Sequence, residues 1–173
     1  MSLETDDIEL HNAGEGGDRL SLESIADQPA VDSLVVILMR DYHCPKCRQQ
    51  ARDLAARYGE FEAANAEVVV VLPEPADRTE DWLVDDIPYP LLADPDARLG
   101  DRFGQSVRFG PLGSLHDFIG RMPVALVLDA TSDFLEPTFT HKGSMPADRP
   151  TPGRPSRRAR MISNPAAESG FCQ

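Results

Sequence analysis

Apolar residues along this chain fall into two kinds of pattern, unbroken runs and helical stripes, and their alternation predicts the fold. Leu34 to Met39 (LVVILM) is a short run rich in β-branched residues, as expected of a strand buried on both faces. From Pro45 to Asn65 the period changes. Cys47, Ala51, Leu54, Ala55, Tyr58 and Phe61 recur at steps of three and four, opposite Arg48, Arg52, Asp53, Arg57 and Glu60. That spacing predicts an amphipathic helix with Pro45 in its first turn. Val68 to Leu72 (VVVVL) is a second buried run, so the three segments form a β-α-β unit with parallel strands and a right-handed crossover.

Downstream, Asp77 with Glu80 three residues on predicts a capping box opening a short helix through Trp82, Leu83 and Val84. The stretch YPLLADPDARLGDRFG predicts a brief strand, then Asp94 and Pro95 as N-cap and first helical residue, with Gly104 as the stop. Gln105 to Arg121 is expected to be a loop. Val124 to Leu128 (VALVL) is a third apolar strand, which turns at residues 130–133 into a partner over Phe134 to Thr140, and Pro137 assigns that partner to an edge. The expected architecture is α/β: a central mixed sheet, parallel in its core with an antiparallel hairpin on one side, flanked by helices. Beyond this, Thr151 and Pro152 could open a helix, but Gly153 and Pro155 follow and no apolar face develops.

Length sets the scale. At 173 residues the chain accommodates one ordinary domain, assigned to residues 1–143, with residues 144–173 as a Pro/Arg-rich tail expected to be disordered. No apolar run approaches the length of a membrane span, and the acidic first thirty residues lack the basic start and apolar stretch of a secretory leader. A cytoplasmic protein without a membrane partner is expected. Acids outnumber bases 29 to 17, for a formal charge of -12, which argues against binding nucleic acid phosphates. Lys46 and Lys142 are the only lysines, and Asp is commoner than Glu. This profile resembles that of proteins from salt-loving archaea, whose acidic surfaces are screened in concentrated salt.

The chemistry centres on Cys44 and Cys47, in C-x-x-C spacing at a strand-to-helix junction. There Cys44 meets unpaired backbone amides and the positive end of the helix dipole, which favour a thiolate and make it the expected nucleophile. Cys47, one turn on, lies on the same face and is the expected resolving thiol. Arg40, Lys46, Arg48 and a protonated His43 would make the thiol more acidic, whereas an inward Asp41 carboxylate would make it less so. Two bland alternatives are an inert buried pair and half of a zinc site. Only Cys172 and His43 are in view as further ligands, so no metal and no organic cofactor are expected. His116 beside Asp117 could act as a base but is more simply a solvated loop pair, and Trp82 is expected in the core.

The segment LVVILMRDYHCPKCRQQARDL, with VVVVLPEP, YPLLADPDARLGDRFG and Met122-Pro123 before a strand, resembles the thioredoxin superfamily, specifically its peroxiredoxin-like alkyl hydroperoxide reductase/thiol-specific antioxidant branch. The likeness runs over about residues 8–143 and implies a thioredoxin-like fold and thiol redox activity. Departures from the family matter. Peroxiredoxins carry P-x-x-x-T-x-x-C, but Ile37 and Asp41 stand at the Pro and Thr positions. Their active-site Arg aligns with Pro123, which instead looks like the cis-proline of thioredoxins and would let the Met122 backbone pair with an incoming disulfide-bearing strand. Arg121 could substitute for the missing cation. The resemblance therefore implies dithiol-disulfide exchange on a protein or small-molecule disulfide, with a thioredoxin-type reductant. Peroxidase chemistry on a hydroperoxide with the same cysteines is one alternative, and a non-catalytic redox-sensing or binding module is the other.

Overall fold

The structure, a computed structural model, describes residues 8–106, 121–132, 134–144, 151–152 and 162–163. In chain order the elements are β1 (Leu10–Asn12), β2 (Arg19–Leu20), α1 (Leu22–Ala26), β3 (Ser33–Leu38), α2 (Pro45–Ala56), α3 (Tyr58–Glu62), β4 (Ala66–Leu72) and α4 (Ala76–Glu80). A 3-10 turn (Asp81–Asp85), β5 (Leu91–Ala93), α5 (Arg98–Arg102), β6 (Val124–Asp129) and β7 (Glu136–Lys142) follow, with a two-residue pair β8 (Thr151–Pro152) and β9 (Ile162–Ser163). The main sheet has the order β2-β1-β5-β4-β3-β6-β7. Strands β5, β4 and β3 run parallel, and β6 and β7 continue antiparallel.

The apolar runs are unbroken because both faces of the central strands are covered. In β3, Val35 and Ile37 pack with Cys47, Ala51 and Leu54 of α2 and with Phe61 of α3. Their neighbours Leu34, Val36 and Leu38 face the other way, onto Leu22 and Ile25 of α1 and onto Leu99 and Phe103. Alternation in the pleat sends successive side chains to opposite cores, so both must be apolar.

Several expectations need correction. The sheet is antiparallel on both sides, because β1 pairs with β5 and β2 with β1. The hairpin β1–β2 and helix α1 carry too few apolar residues for a pattern, although Ser21 and Ser24 form a capping box at α1. The single helix predicted over 45–65 is two, broken at Arg57, whose φ of -114° leaves helical geometry just before Tyr58 and Gly59. Asp77 does not cap a helix: α4 opens at Ala76 after Pro75 and no side chain caps it. Helix α5 starts at Arg98, not Pro95. Ala97 holds a left-handed φ of 52° there, and Asp94 caps the helix from four residues away. Gly104 ends α5 at φ 67°, as its position predicts, and β7 with Pro137 is an edge strand, β2 being the other. Most of the tail, residues 107–120 of the expected loop with His116, and Cys172 lie outside the described residues.

Candidate active site

Strand β3 delivers the site. After Leu38 the backbone makes one more sheet bond, Met39 N–H to Val71 C=O at 2.9 Å, and then leaves the sheet through residues 40–43. Cys44 is the N-cap of α2, in extended geometry (φ -72°, ψ 105°), with Pro45 next. Its Sγ accepts the Cys47 N–H at 3.3 Å, and its carbonyl accepts the N–H of Cys47 and Arg48 at 3.1 and 3.2 Å. Pro45 suits this place because its missing N–H would have had no helical partner. No acidic side chain lies in the first turn of α2, leaving the positive end of the helix unopposed there.

Both cysteines are free thiols and both are buried, Cys44 at 4% exposure and Cys47 at 0%. A second amide, that of Arg40, donates to Cys47 Sγ at 3.5 Å. Each sulfur of the C-x-x-C pair thus receives a backbone N–H.

The charged neighbours divide. Arg40 and Asp41 pair with each other at 3.5 Å. Arg48 lies over the Trp82 ring at 4.9 Å and over the Tyr42 ring at 5.2 Å. His43 is exposed and meets Tyr42 edge-on at 4.9 Å. Tyr42 fastens the loop before Cys44: its N–H donates to Glu74 at 2.9 Å and its hydroxyl to Asp81 at 3.0 Å. That hydroxyl is less acidic than usual, chiefly because it donates to the Asp81 carboxylate. Trp82 is fully buried, as expected.

Met122 and Pro123 depart from expectation. Every peptide bond among the described residues is trans, so Pro123 is not the cis-proline of the thioredoxin pattern. Met122 has no free N–H for an incoming strand, because its amide donates to Ser106 C=O at 2.9 Å. Its carbonyl accepts Gln105 Nε2 at 2.9 Å. Arg121, the candidate substitute cation, is held by Asp101 at 2.7 Å. Among the described residues, no group of three or more His, Cys, Asp or Glu is placed to hold a metal ion.

Gln105 and Tyr42 escaped the sequence reading. Tyr42 stands two residues from Cys44, a proximity that could have drawn notice. Gln105 carries no local signal, since its partners are distant backbone carbonyls.

A mixed sheet with α2 on one face, opened by a C-x-x-C pair at the helix N-terminus, defines a thioredoxin-like redox protein. Residues 4–130 match the AhpC/TSA family, and the chain belongs to it. It is accordingly a thiol-based oxidoreductase of the peroxiredoxin-like kind.

The solved structures it resembles agree in fold. A peroxiredoxin Q mutant from Xanthomonas campestris superposes with a TM-score of 0.62 at 18% identity, covering 80% of this chain and 82% of that one. BcpB, a peroxidoxin from Mycobacterium tuberculosis, gives 0.60 at 22% identity, with 77% and 81% covered. A PrxQ mutant from Xylella fastidiosa gives 0.62 at 16%, with 82% of each chain covered. Comparison with curated proteins finds no match.

Proposed function

We propose that the protein catalyses dithiol-disulfide exchange, with Cys44 as the attacking sulfur and Cys47 as the resolving one. The observation that supports this best is the pair of amide donors, Cys47 N–H on Cys44 Sγ and Arg40 N–H on Cys47 Sγ. Hydrogen bonds to a sulfur favour its anionic, nucleophilic form. The Cys44 thiolate attacks a substrate disulfide, forming a mixed disulfide and expelling one substrate thiolate. Cys47, deprotonated, then attacks the Cys44 sulfur and expels the second. Two electrons pass to the substrate and a Cys44–Cys47 disulfide remains, to be reduced by a thioredoxin-type donor. With the Met122 N–H engaged and Pro123 trans, this reading favours a small or unfolded disulfide over a strand docked at Met122.

A second reading is peroxidase chemistry, favoured by the family itself. Cys44 would attack the terminal oxygen of a hydroperoxide, break the O–O bond and release the alcohol or water. The resulting sulfenic acid would condense with Cys47, losing water. Against it stand Asp41 and Pro123 at the expected Thr and Arg positions, and the engagement of Arg121 by Asp101.

The low cysteine count supports a reducing, cytoplasmic setting, and the excess of acids supports work in concentrated salt. No helix among the described residues is long and apolar enough to cross a membrane.

The test counts thiols in reduced protein carrying Cys172→Ser. Slow loss with hydrogen peroxide alongside rapid reduction of insulin disulfides is the expected result, and the reverse order selects the peroxidase. If Cys44→Ser retains full activity in both assays, the assignment of the nucleophile is wrong.

A further inference from the structure

One peptide group links the resolving thiol to a buried amide side chain. Arg40 N–H donates to Cys47 Sγ at 3.5 Å. The carbonyl at the other end of that same peptide, Met39 C=O, accepts Gln105 Nε2 at 3.0 Å. The second Nε2 proton goes to Met122 C=O at 2.9 Å, with a longer contact of 3.4 Å to Leu38 C=O. Three carbonyl neighbours identify this end of the side chain as the NH2 group. A peptide is planar, so holding its carbonyl also aims its N–H. Donation to the carbonyl further polarises the N–H at the far end.

Gln105 is itself firmly seated. It is 6% exposed, and its backbone N–H donates to Gly100 C=O at 2.7 Å. Gly100 leaves room for it: a Cβ there would lie 2.6 Å from Gln105 Oε1. Cys47 is withdrawn from water in an apolar cluster with Val35, Ile37 and Met39. Besides the two cysteines, the charged or titratable side chains of residues 40–48 are Arg40, Asp41, Tyr42, His43, Lys46 and Arg48. A sulfur so buried depends on protein donors to carry negative charge.

We propose that Gln105 is a positioning residue for the resolving thiol: through the Met39–Arg40 peptide it holds a hydrogen-bond donor on Cys47 Sγ and so sets how fast Cys47 attacks the sulfur of Cys44. This rests on the roles given to the two cysteines above. Gln105 acts through the peptide whose carbonyl it holds, and it joins the segment leading into the site to the Met122–Pro123 segment with a single amide.

Ellman's reagent separates the two steps in protein carrying Cys172→Ser. Cys44 attacks the reagent's disulfide and releases one thionitrobenzoate. Cys47 attacks the resulting mixed disulfide and releases the second, leaving one protein disulfide. Gln105→Met, close in shape but without donors, is expected to slow the second release about tenfold, the net worth of roughly one hydrogen bond. The first release should stay within about twofold of wild type. A merely structural role would alter both phases together, and that result, or no change in either, overturns the proposal. Loss of the first phase in Cys44→Ser tests the nucleophile separately. Should Gln105→Met not fold, NMR of the unsubstituted protein decides: the Gln105 side-chain amide resonances shift when the cysteines are oxidised, and unmoved resonances refute the link.

Discussion

Asp94 offers the sharpest test of how the structure around the site is held. Its carboxylate is 1% exposed and accepts the N–H of Arg98 and of Leu99, each at 2.9 Å, closing the first turn of α5. Helix α5 contains Gly100 and is followed, three residues past its end, by Gln105. Losing the amide bonds of Arg98 and Leu99, at a net worth of about 0.5–1.5 kcal/mol each, together with the interaction with the Gly100 amide and less the burial cost that vanishes with the charge, puts Asp94→Ala at about 1–2 kcal/mol. For a chain of this size that lowers the thermal midpoint by roughly 3–6 °C.

The pH dependence carries a definite sign. Burial, the largest effect, raises the Asp94 carboxyl above its ordinary range, against the amides of Arg98, Leu99 and Gly100 and the charge of Arg121. The native state therefore keeps this proton to higher pH than the unfolded chain does. Its contribution is fully present at pH values below the unfolded carboxyl's range, and part of it is lost as pH rises through the native one. In urea unfolding followed by Trp82 fluorescence, the advantage of wild type over Asp94→Asn should narrow as pH rises above the ordinary carboxylate range. A loss below about 0.5 kcal/mol for Asp94→Ala, or an advantage that widens with pH, would refute this account.

Other outcomes are expected. Gly100→Ala, whose methyl crowds Gln105 Oε1, should slow the second thionitrobenzoate release while sparing the first, as measured by stopped flow. Tyr42→Ala removes the ring beneath Arg48 and the hydroxyl bond to Asp81, so Cys44 should be alkylated faster by iodoacetamide, whereas Tyr42→Phe, which keeps the ring, should change the rate much less. Gly14→Ala should fold poorly, judged by circular dichroism, because its Cβ would collide with the Tyr89 carbonyl oxygen. With 29 acids against 17 bases, the thermal midpoint should rise between low and molar potassium chloride, and a flat response would count against the salt-adapted reading.

Residue pattern alone was enough to specify the central strands, the helix that follows β3 and the cysteine pair at their junction. Runs such as Leu34–Met39 and Val68–Leu72 announce strands because both faces are covered, and a C-x-x-C with proline inside it has few other places to sit. The remaining features emerge from long-range packing. The β1–β2 hairpin is held by pairing to β5 and by Asn12, whose Oδ1 accepts the N–H of Leu91 at 3.0 Å, with only Leu10 and Leu20 of its strands reaching the core. The trans geometry at Pro123 and the use of the Met122 N–H by Ser106 depend on where a separate loop lies. Arg121 neighbours the expected site in sequence, yet Asp101 of α5 holds its guanidinium. Gln105 joins Met39 and Met122, far apart in the chain, through backbone carbonyls that every residue possesses. Local periodicity records which side chains leave water, whereas contacts made through generic backbone groups leave no mark in residue type and arise only when the chain has folded.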